Sequence, residues 1–246
     1  MNPLAPSLVA LAATASAFAA APQPRFEVFE TPNGKSVSVA CLKHATLCIR
    51  YDGLEIHVDP VGTGIPPATD YSAFPKADVI LVTHEHFDHF DRDAIATLRK
   101  NGTVVVANPA VGRTLDGATV LSNGESFQVR PDFSINAVPA YNRTPERLRF
   151  HPKGRDNGYV LDLGGFRLYI AGDTENIPEM ADLRDIDLAF LPCNLPYTMT
   201  PEQTAAAARS FRPKVLFPYH YGDTPIRRIA ELLADSGIDI RLPAAP

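Results

Sequence analysis

The chain has no long apolar run after its first 21 residues, no strong excess of either charge, no evident internal repeat and no low-complexity tract beyond the N-terminus. Each absence narrows the field. A net charge of −5 over 246 residues argues against general attraction to nucleic acid or to an anionic membrane, so a partner has to be recognised by a local site. Without an apolar run of about twenty residues, no stable membrane span is expected once the N-terminal stretch is set aside. Only three cysteines occur, Cys41, Cys48 and Cys193, so any pairing leaves one over. What is present is an ordinary globular composition, 45% hydrophobic and 21% charged, long enough for one large domain over residues 22–246 with two packed layers of core.

The first 21 residues carry no charged side chain. Leu8 to Ala13 opens an apolar stretch that continues to Ala21, and Ala17, Ala19, Ala20 and Ala21 before Pro22 offer Ala-x-Ala cleavage sites. Residues 1–21 therefore read as a secretory signal, although no Lys or Arg stands near the start, and they predict a periplasmic or secreted protein. A disordered Ala-rich tail and a membrane anchor are the alternatives. The run is short and Ala-rich for a span, and no Cys follows it to take a lipid.

Beyond Arg25 the pattern is one of strands. Ser36 to Leu42 alternates, Leu47 to Tyr51 continues, Asp52-Gly53 is a hairpin signal, and Leu54 to Val58 follows, which predicts an antiparallel meander. A tight turn centred on His44-Ala45 would set Leu42 against Leu47 and Cys41 against Cys48, a pair able to form a disulfide in an exported protein or to remain two small buried thiols. Cys193 reads as a small core or rim residue. Helices are expected over 91–102, 109–115, 200–211 and 224–234. Strands are expected at 79–82, 104–106, within 117–138, across the Gly164-Gly165 hairpin, and at 187–192 and 214–218. Strands, a helix, strands and further helices in this order suggest two sheets with helices on their outer faces.

Thr83-His84-Glu85-His86-Phe87-Asp88-His89 follows the apolar run Val79 to Val82, with three imidazoles and a carboxylate inside six residues. Neutral imidazole and carboxylate suit Zn²⁺ and its first-row neighbours, and His84 and His86, two apart, point the same way off extended backbone. Asp88 and His89 sit one turn further on, able to face a second ion. The end of a buried strand is also where open α/β sheets place their sites. A solvated His-rich loop is the bland alternative.

This His-x-His-x-Asp-His stretch resembles the motif of the metallo-β-lactamase-fold hydrolases, and the resemblance extends from about Val37 to Gly222. It implies an α/β fold, a four-layer αββα sandwich of two mixed β-sheets with helices on the outer faces, carrying a dinuclear site. Asp59, ending the meander, would be an acceptor behind the metal-binding histidines. His44, in a His-Ala-Thr turn similar to one in the lactonase-like branch, would line the pocket. Asn142 stands where the family commonly supplies its third histidine. Either His151 folds back to complete that site or the site is open and weakly occupied, with Asn142 beside it. Ala171-Gly172-Asp173-Thr174 is similar to the segment whose Asp bridges two ions, and His220 matches the last metal histidine.

The implied ligand set is His84, His86 and His151 for one ion, Asp88, His89 and His220 for the other, and Asp173 between them. Two zinc ions suit it, with Mn or Fe also compatible. Asp88 and Asp173 are then the catalytic carboxylates, and a hydroxide held between the ions would attack a small-molecule lactone, ester, amide or phosphoester. Tyr141, Tyr197, Tyr219 and Tyr221 lie beside these segments, and any one of them is a candidate donor to the developing oxyanion. Arg143, Arg147, Arg149 and Arg155 surround His151, as an anion-recognising lid or as a solvated loop. Two further readings stay open: an iron-dependent oxidoreductase on the same fold, and a non-catalytic metal-binding protein whose first site Asn142 has disabled. Nucleic-acid processing is not expected of an acidic, exported chain with no added specificity domain.

Overall fold

The computed structural model describes residues 24–242. The expected signal over 1–21 lies outside the described residues. Two seven-stranded sheets pack face to face. The first holds β1 (Glu27–Glu30), β2 (Ser36–Lys43), β3 (Thr46–Tyr51), β4 (Leu54–Val58), β5 (Val79–Val82), β6 (Val104–Ala107) and β7 (Thr119–Val120), side by side in that order. The second holds β8 (Ser126–Arg130), β9 (Phe133–Ala140), β10 (Asp156–Leu163), β11 (Phe166–Ile170), β12 (Leu188–Pro192), β13 (Val215–Tyr219) and β14 (Asp239–Ile240), again in chain order. In each sheet four antiparallel strands are continued by three that join in parallel. The two halves thus repeat one topology, although their sequences show no repeat.

Three apolar layers hold this together. Alternation on β3 and β4 sends Leu47, Ile49, Tyr51, Ile56 and Val58 inward, where they meet Phe133, Ile135, Tyr159, Leu161, Leu168 and Ile170 of the second sheet. All eleven are essentially inaccessible to solvent, and full burial of such a side chain contributes roughly 1.5–3 kcal/mol. Helices α1 (Arg92–Leu98) and α2 (Pro109–Gly112) cover the outer face of the first sheet, and α3 (Pro201–Phe211) and α4 (Arg227–Leu232) that of the second. The architecture is the expected four-layer αββα sandwich.

Helix boundaries follow local chemistry. Asp91 caps α1 by accepting from the amides of Asp93 and Ala94, and α1 stops at Leu98, short of Gly102, because Arg99 turns extended. α3 carries the expected capping box, Thr200 with Gln203. α2 and α4 are each shorter than the sequence suggests, their flanking residues forming turns.

The cysteine pairing does not form. The turn centres on His44-Ala45, but a bulge between Cys41 and Lys43 shifts the register so that Ala40 opposes Cys48 and Cys41 opposes Leu47. A shift of one residue turns a side chain to the opposite face of the sheet, so Cys41 is exposed, Cys48 is buried and both are free thiols. Cys193 is buried in the layer beneath α3 and α4.

Candidate metal centre

The carboxyl ends of β4, β5, β11 and β13 converge at one rim of the sandwich, joined by the β2–β3 turn and the loop before β10. The convergence is hydrogen-bonded across elements: the amide of Asn157 donates to the Thr83 carbonyl at 3.1 Å and that of His220 to the His44 carbonyl at 2.9 Å. Three site residues, His44, Asp59 and His220, have positive φ near 45°, left-handed backbone that costs a non-glycine residue on the order of 1–3 kcal/mol. Gly172 is also left-handed, and a Cβ there would stand 2.8 Å from the Asn157 carbonyl oxygen, so only glycine delivers Asp173.

The structure brings the sequence-predicted residues into three overlapping donor groups, each with its donor atoms within 4.8 Å of one another: His84, His86 and His151; His44, Asp88, His89 and His220; and His84, His89 and Asp173. Asp173 lies between the first two. Its Oδ2 is 3.3 Å from His151 Nε2, while its Oδ1 is 3.4 Å from His89 Nε2 and 3.6 Å from His220 Nδ1. His84 Nε2 approaches His86 Nδ1 at 3.1 Å, and His89 Nε2 approaches His220 Nε2 at 3.3 Å. These are about the separations between neighbouring ligands of one tetrahedral ion, some 3.3–3.6 Å for bonds of about 2.0–2.2 Å. Asp173 Oδ1 and His220 Nδ1 are buried without a hydrogen-bond partner among the described residues. Converging lone pairs and orphaned buried acceptors fit a pair of divalent cations.

Behind the donors stands a layer of acceptors. Asp59 Oδ2 accepts from His89 Nδ1 at 2.8 Å and from the Thr83 hydroxyl at 2.7 Å, and its Oδ1 accepts from the Thr83 amide at 2.8 Å. Asp156 Oδ2 is 3.0 Å from His151 Nδ1, and Arg155 Nε donates to its Oδ1 at 2.7 Å. Each aims an Nε2 into the centre. His44 lies closer in than the pocket wall, its Nε2 3.0 Å from Asp88 Oδ2 and its ring 3.8 Å from that of His220.

Electrostatics follow the same geometry. Burial pushes the pKa of His84, His86 and His220 down, so these imidazoles are neutral and ready to donate a lone pair. Burial also opposes charge on His89, but Asp173 and Asp59 outweigh it and raise its pKa well above the usual value. Burial opposes ionisation of Asp173, yet His220, His89 and His151 hold it far below the ordinary carboxylate range. Burial opposes charge on His151 too, but Asp156 and Asp173 raise its pKa, so in the metal-free chain protons on His89 and His151 substitute for part of a cation's charge.

Other sequence candidates lie elsewhere. Asn142 Nδ2 donates to the carbonyls of Tyr197 at 2.7 Å and Arg147 at 3.2 Å, tying two loops together, and its Oδ1 is buried without a hydrogen-bond partner among the described residues. The Tyr141 hydroxyl donates to Glu179 at 2.9 Å, and the Tyr219 hydroxyl accepts from the Gly172 amide at 2.9 Å. Tyr197 alone of these three stays exposed, its ring edge-on to Phe150. Two of the four loop arginines act as buttresses. Arg147 pairs with buried Glu175 at 2.8 Å, and Arg155 pairs with Asp156. Sequence reasoning missed Asp156, Thr83 and Glu175. Thr83 adjoins the motif and Asp156 follows His151 by five residues, but neither residue type is distinctive without its partner.

Two mixed sheets packed face to face, with a carboxylate set between two imidazole groups at their common rim, define a protein of the metallo-β-lactamase fold. Comparison with known proteins agrees. The β-lactamase superfamily domain matches residues 38–220. UPF0173 metal-dependent hydrolases from Thermococcus kodakarensis and Thermus thermophilus are 33% and 34% identical, over 77% and 80% of this chain and 86% and 90% of theirs. A crystal structure of a protein from Parabacteroides distasonis, described as a metal-dependent hydrolase, is 50% identical with a TM-score of 0.86, covering 89% of this chain and 98% of that one. A metallo hydrolase from Ignicoccus hospitalis is 26% identical with a TM-score of 0.70, over 84% and 94% of the two chains. The chain belongs to the β-lactamase superfamily, among its metal-dependent hydrolases.

Proposed function

We propose that the protein is a dinuclear metallohydrolase acting on a small lactone or ester. The observation that carries this is Asp173, whose two oxygens face two separate imidazole groups. His84, His86 and His151 would hold one ion and Asp88, His89 and His220 the other, with His44 against Asp88. Bound there, two divalent cations, zinc by the preference of these donors, supply an acidified water as nucleophile and neutralise charge developing on the attacked oxygen. The chain's own task is orientation: Asp59 and Asp156 hold the Nε2 lone pairs of His89 and His151 inward, and Thr83 fixes Asp59.

The surroundings favour an uncharged substrate. Arg147 and Arg155 are neutralised by Glu175 and Asp156, which leaves these two without a free guanidinium for an anion. Phe87, in the motif loop, is 72% exposed, and Tyr197 is also exposed beside the His151 loop. These apolar faces suit the acyl or alkyl part of a lactone or ester, in keeping with the lactonase-like turn at His44.

The test is metal analysis of chelator-free protein followed by turnover on lactones, esters, amides and phosphodiesters, with Asp173→Ala and His151→Ala alongside. Two ions bound at this centre and ester or lactone hydrolysis, both lost in Asp173→Ala, are expected. A single ion unaffected by His151→Ala, or an iron protein that consumes oxygen and hydrolyses nothing, would overturn the reading. The N-terminal stretch supports export in the same reading, and a mature protein starting after Ala21 is expected from N-terminal sequencing.

A further inference from the structure

Six of the seven histidines lie in the groups described above, and the seventh, His57, does not. His57 is on β4, directly opposite Cys48 of β3, and Glu55 lies two residues along β4, opposite Arg50. All four side chains face away from the core between the sheets, on the outer face of the first sheet. His57 and Cys48 are fully buried and Glu55 nearly so. Tyr71 and Phe74 stand edge-on to the His57 ring, at 5.8 and 5.6 Å between centroids, and shut this face off from solvent.

Neither nitrogen of His57 has a hydrogen-bond partner among the described residues. A fully buried imidazole with both nitrogens unpaired is costly and calls for an occupant. Glu55 divides its oxygens. Oε2 accepts from Arg50 Nε at 2.9 Å, while Oε1 faces Cys48 Sγ at 3.2 Å and His57 Nε2 at 3.7 Å. The three donor atoms lie within 4.8 Å of one another. Neighbouring ligands of a tetrahedral zinc ion with N, O and S donors stand about 3.3–3.7 Å apart, given bonds of about 2.0 to 2.3 Å. The two close separations bracket that range.

We propose that Cys48, Glu55 and His57 form a second, separate metal site, for a divalent cation of the zinc class, with water completing a tetrahedron. On binding, the Cys48 S–H proton leaves to solvent, the sulfur lone pair takes its place on the cation, and thiolate and carboxylate together balance the double charge. Arg50 stays on the other Glu55 oxygen and fixes its orientation. Lying across β3 and β4 and beneath the 71–74 turn, the site would clamp the strand that ends in Asp59. Its donor set differs from that of the first centre in one usable respect: the residues grouped there include no cysteine.

Cobalt distinguishes the two sites, because a thiolate bound to Co²⁺ gives a sulfur-to-metal charge-transfer band that imidazole and carboxylate do not give. The full chain would be loaded with Co²⁺, and its near-ultraviolet spectrum and metal content compared for wild type, Cys48→Ser, His57→Phe, Cys41→Ser and Asp173→Ala. The band is expected in wild type, Cys41→Ser and Asp173→Ala, and absent from Cys48→Ser. Metal content should fall by one ion per chain in both Cys48→Ser and His57→Phe. No band in wild type, a band surviving Cys48→Ser, or unchanged metal content in both variants would overturn the site and indicate an ordered water in its place. None of these outcomes depends on hydrolytic activity, so the proposal and the function above fail separately.

Discussion

Asp59→Asn separates orientation from ligation at the metal centre. The Asp59 carboxylate takes three hydrogen bonds, from the Thr83 amide, the Thr83 hydroxyl and His89 Nδ1. An asparagine must keep its carbonyl on the Thr83 amide, which donates only, so its NH₂ replaces Oδ2 and faces the Thr83 hydroxyl and His89 Nδ1. The hydroxyl can rotate to accept. His89 Nδ1 can accept only by moving its proton to Nε2, the nitrogen that faces Asp173 and His220. The imidazole then presents N–H where a lone pair is needed. Loss of such an orienting partner lowers metal affinity by about 10- to 100-fold, or about 1.4 to 2.8 kcal/mol. Volume is conserved, but the metal-free variant also loses the buried carboxylate paired with protonated His89, so it should unfold more readily than wild type. The assay is competitive chelator titration with ¹⁵N-imidazole NMR of His89. Two ions held at wild-type affinity, or His89 protonated at Nδ1 in the loaded variant, would refute the reasoning.

Three further outcomes are expected. Gly158→Ala places a Cβ 2.8 Å from the Ala171 carbonyl oxygen and 3.0 Å from that of Ile170, both backbone and unable to yield. It should cost about 1–3 kcal/mol and displace Asp173, read as a lower melting temperature with weakened metal binding. Glu175 accepts from the amides of Arg143 and Thr144, the Thr144 hydroxyl and Arg147, and the bonds from Thr144, Arg143 and Gln203 outweigh burial to hold its pKa below the usual 4.5. Its contribution is therefore present above pH 4.5 and lost as pH falls through the lower folded value. Glu175→Gln should lose roughly 2–3 kcal/mol at pH 7 and flatten the acid limb, in urea midpoints measured from pH 7 to 3. Buried Lys43 donates to the carbonyls of Gly62, Ile65 and Pro67 at 2.6, 2.7 and 2.9 Å. Lys43→Met should accelerate amide exchange in the 62–70 loop while the strands stay protected; uniform protection would show the loop to be held by other means.

The sequence by itself determined the strands, the hairpins, the two-sheet class and the tight motif at His84 to His89, because these rest on contacts within a few residues: alternation, turn chemistry, capping and the reach of adjacent side chains. It also placed Asp59, Asp173 and His220 in the right order. Tertiary structure alone decided what depends on register and on approach between distant segments. A single bulge after Cys41 put the two cysteines on opposite faces of the sheet and left Cys48 beside His57. His151 reaches the site because the loop before β10 folds back against the amide of Asn142 at 2.7 Å, a bond across nine residues that no periodicity encodes. Two of the arginines around it, Arg147 and Arg155, pair with Glu175 and Asp156, so part of a cluster legible only as charge became a buttress. Local propensity is written into each short stretch. Which lone pairs meet at the rim is settled only when two sheets, built from segments over a hundred residues apart, close on one another.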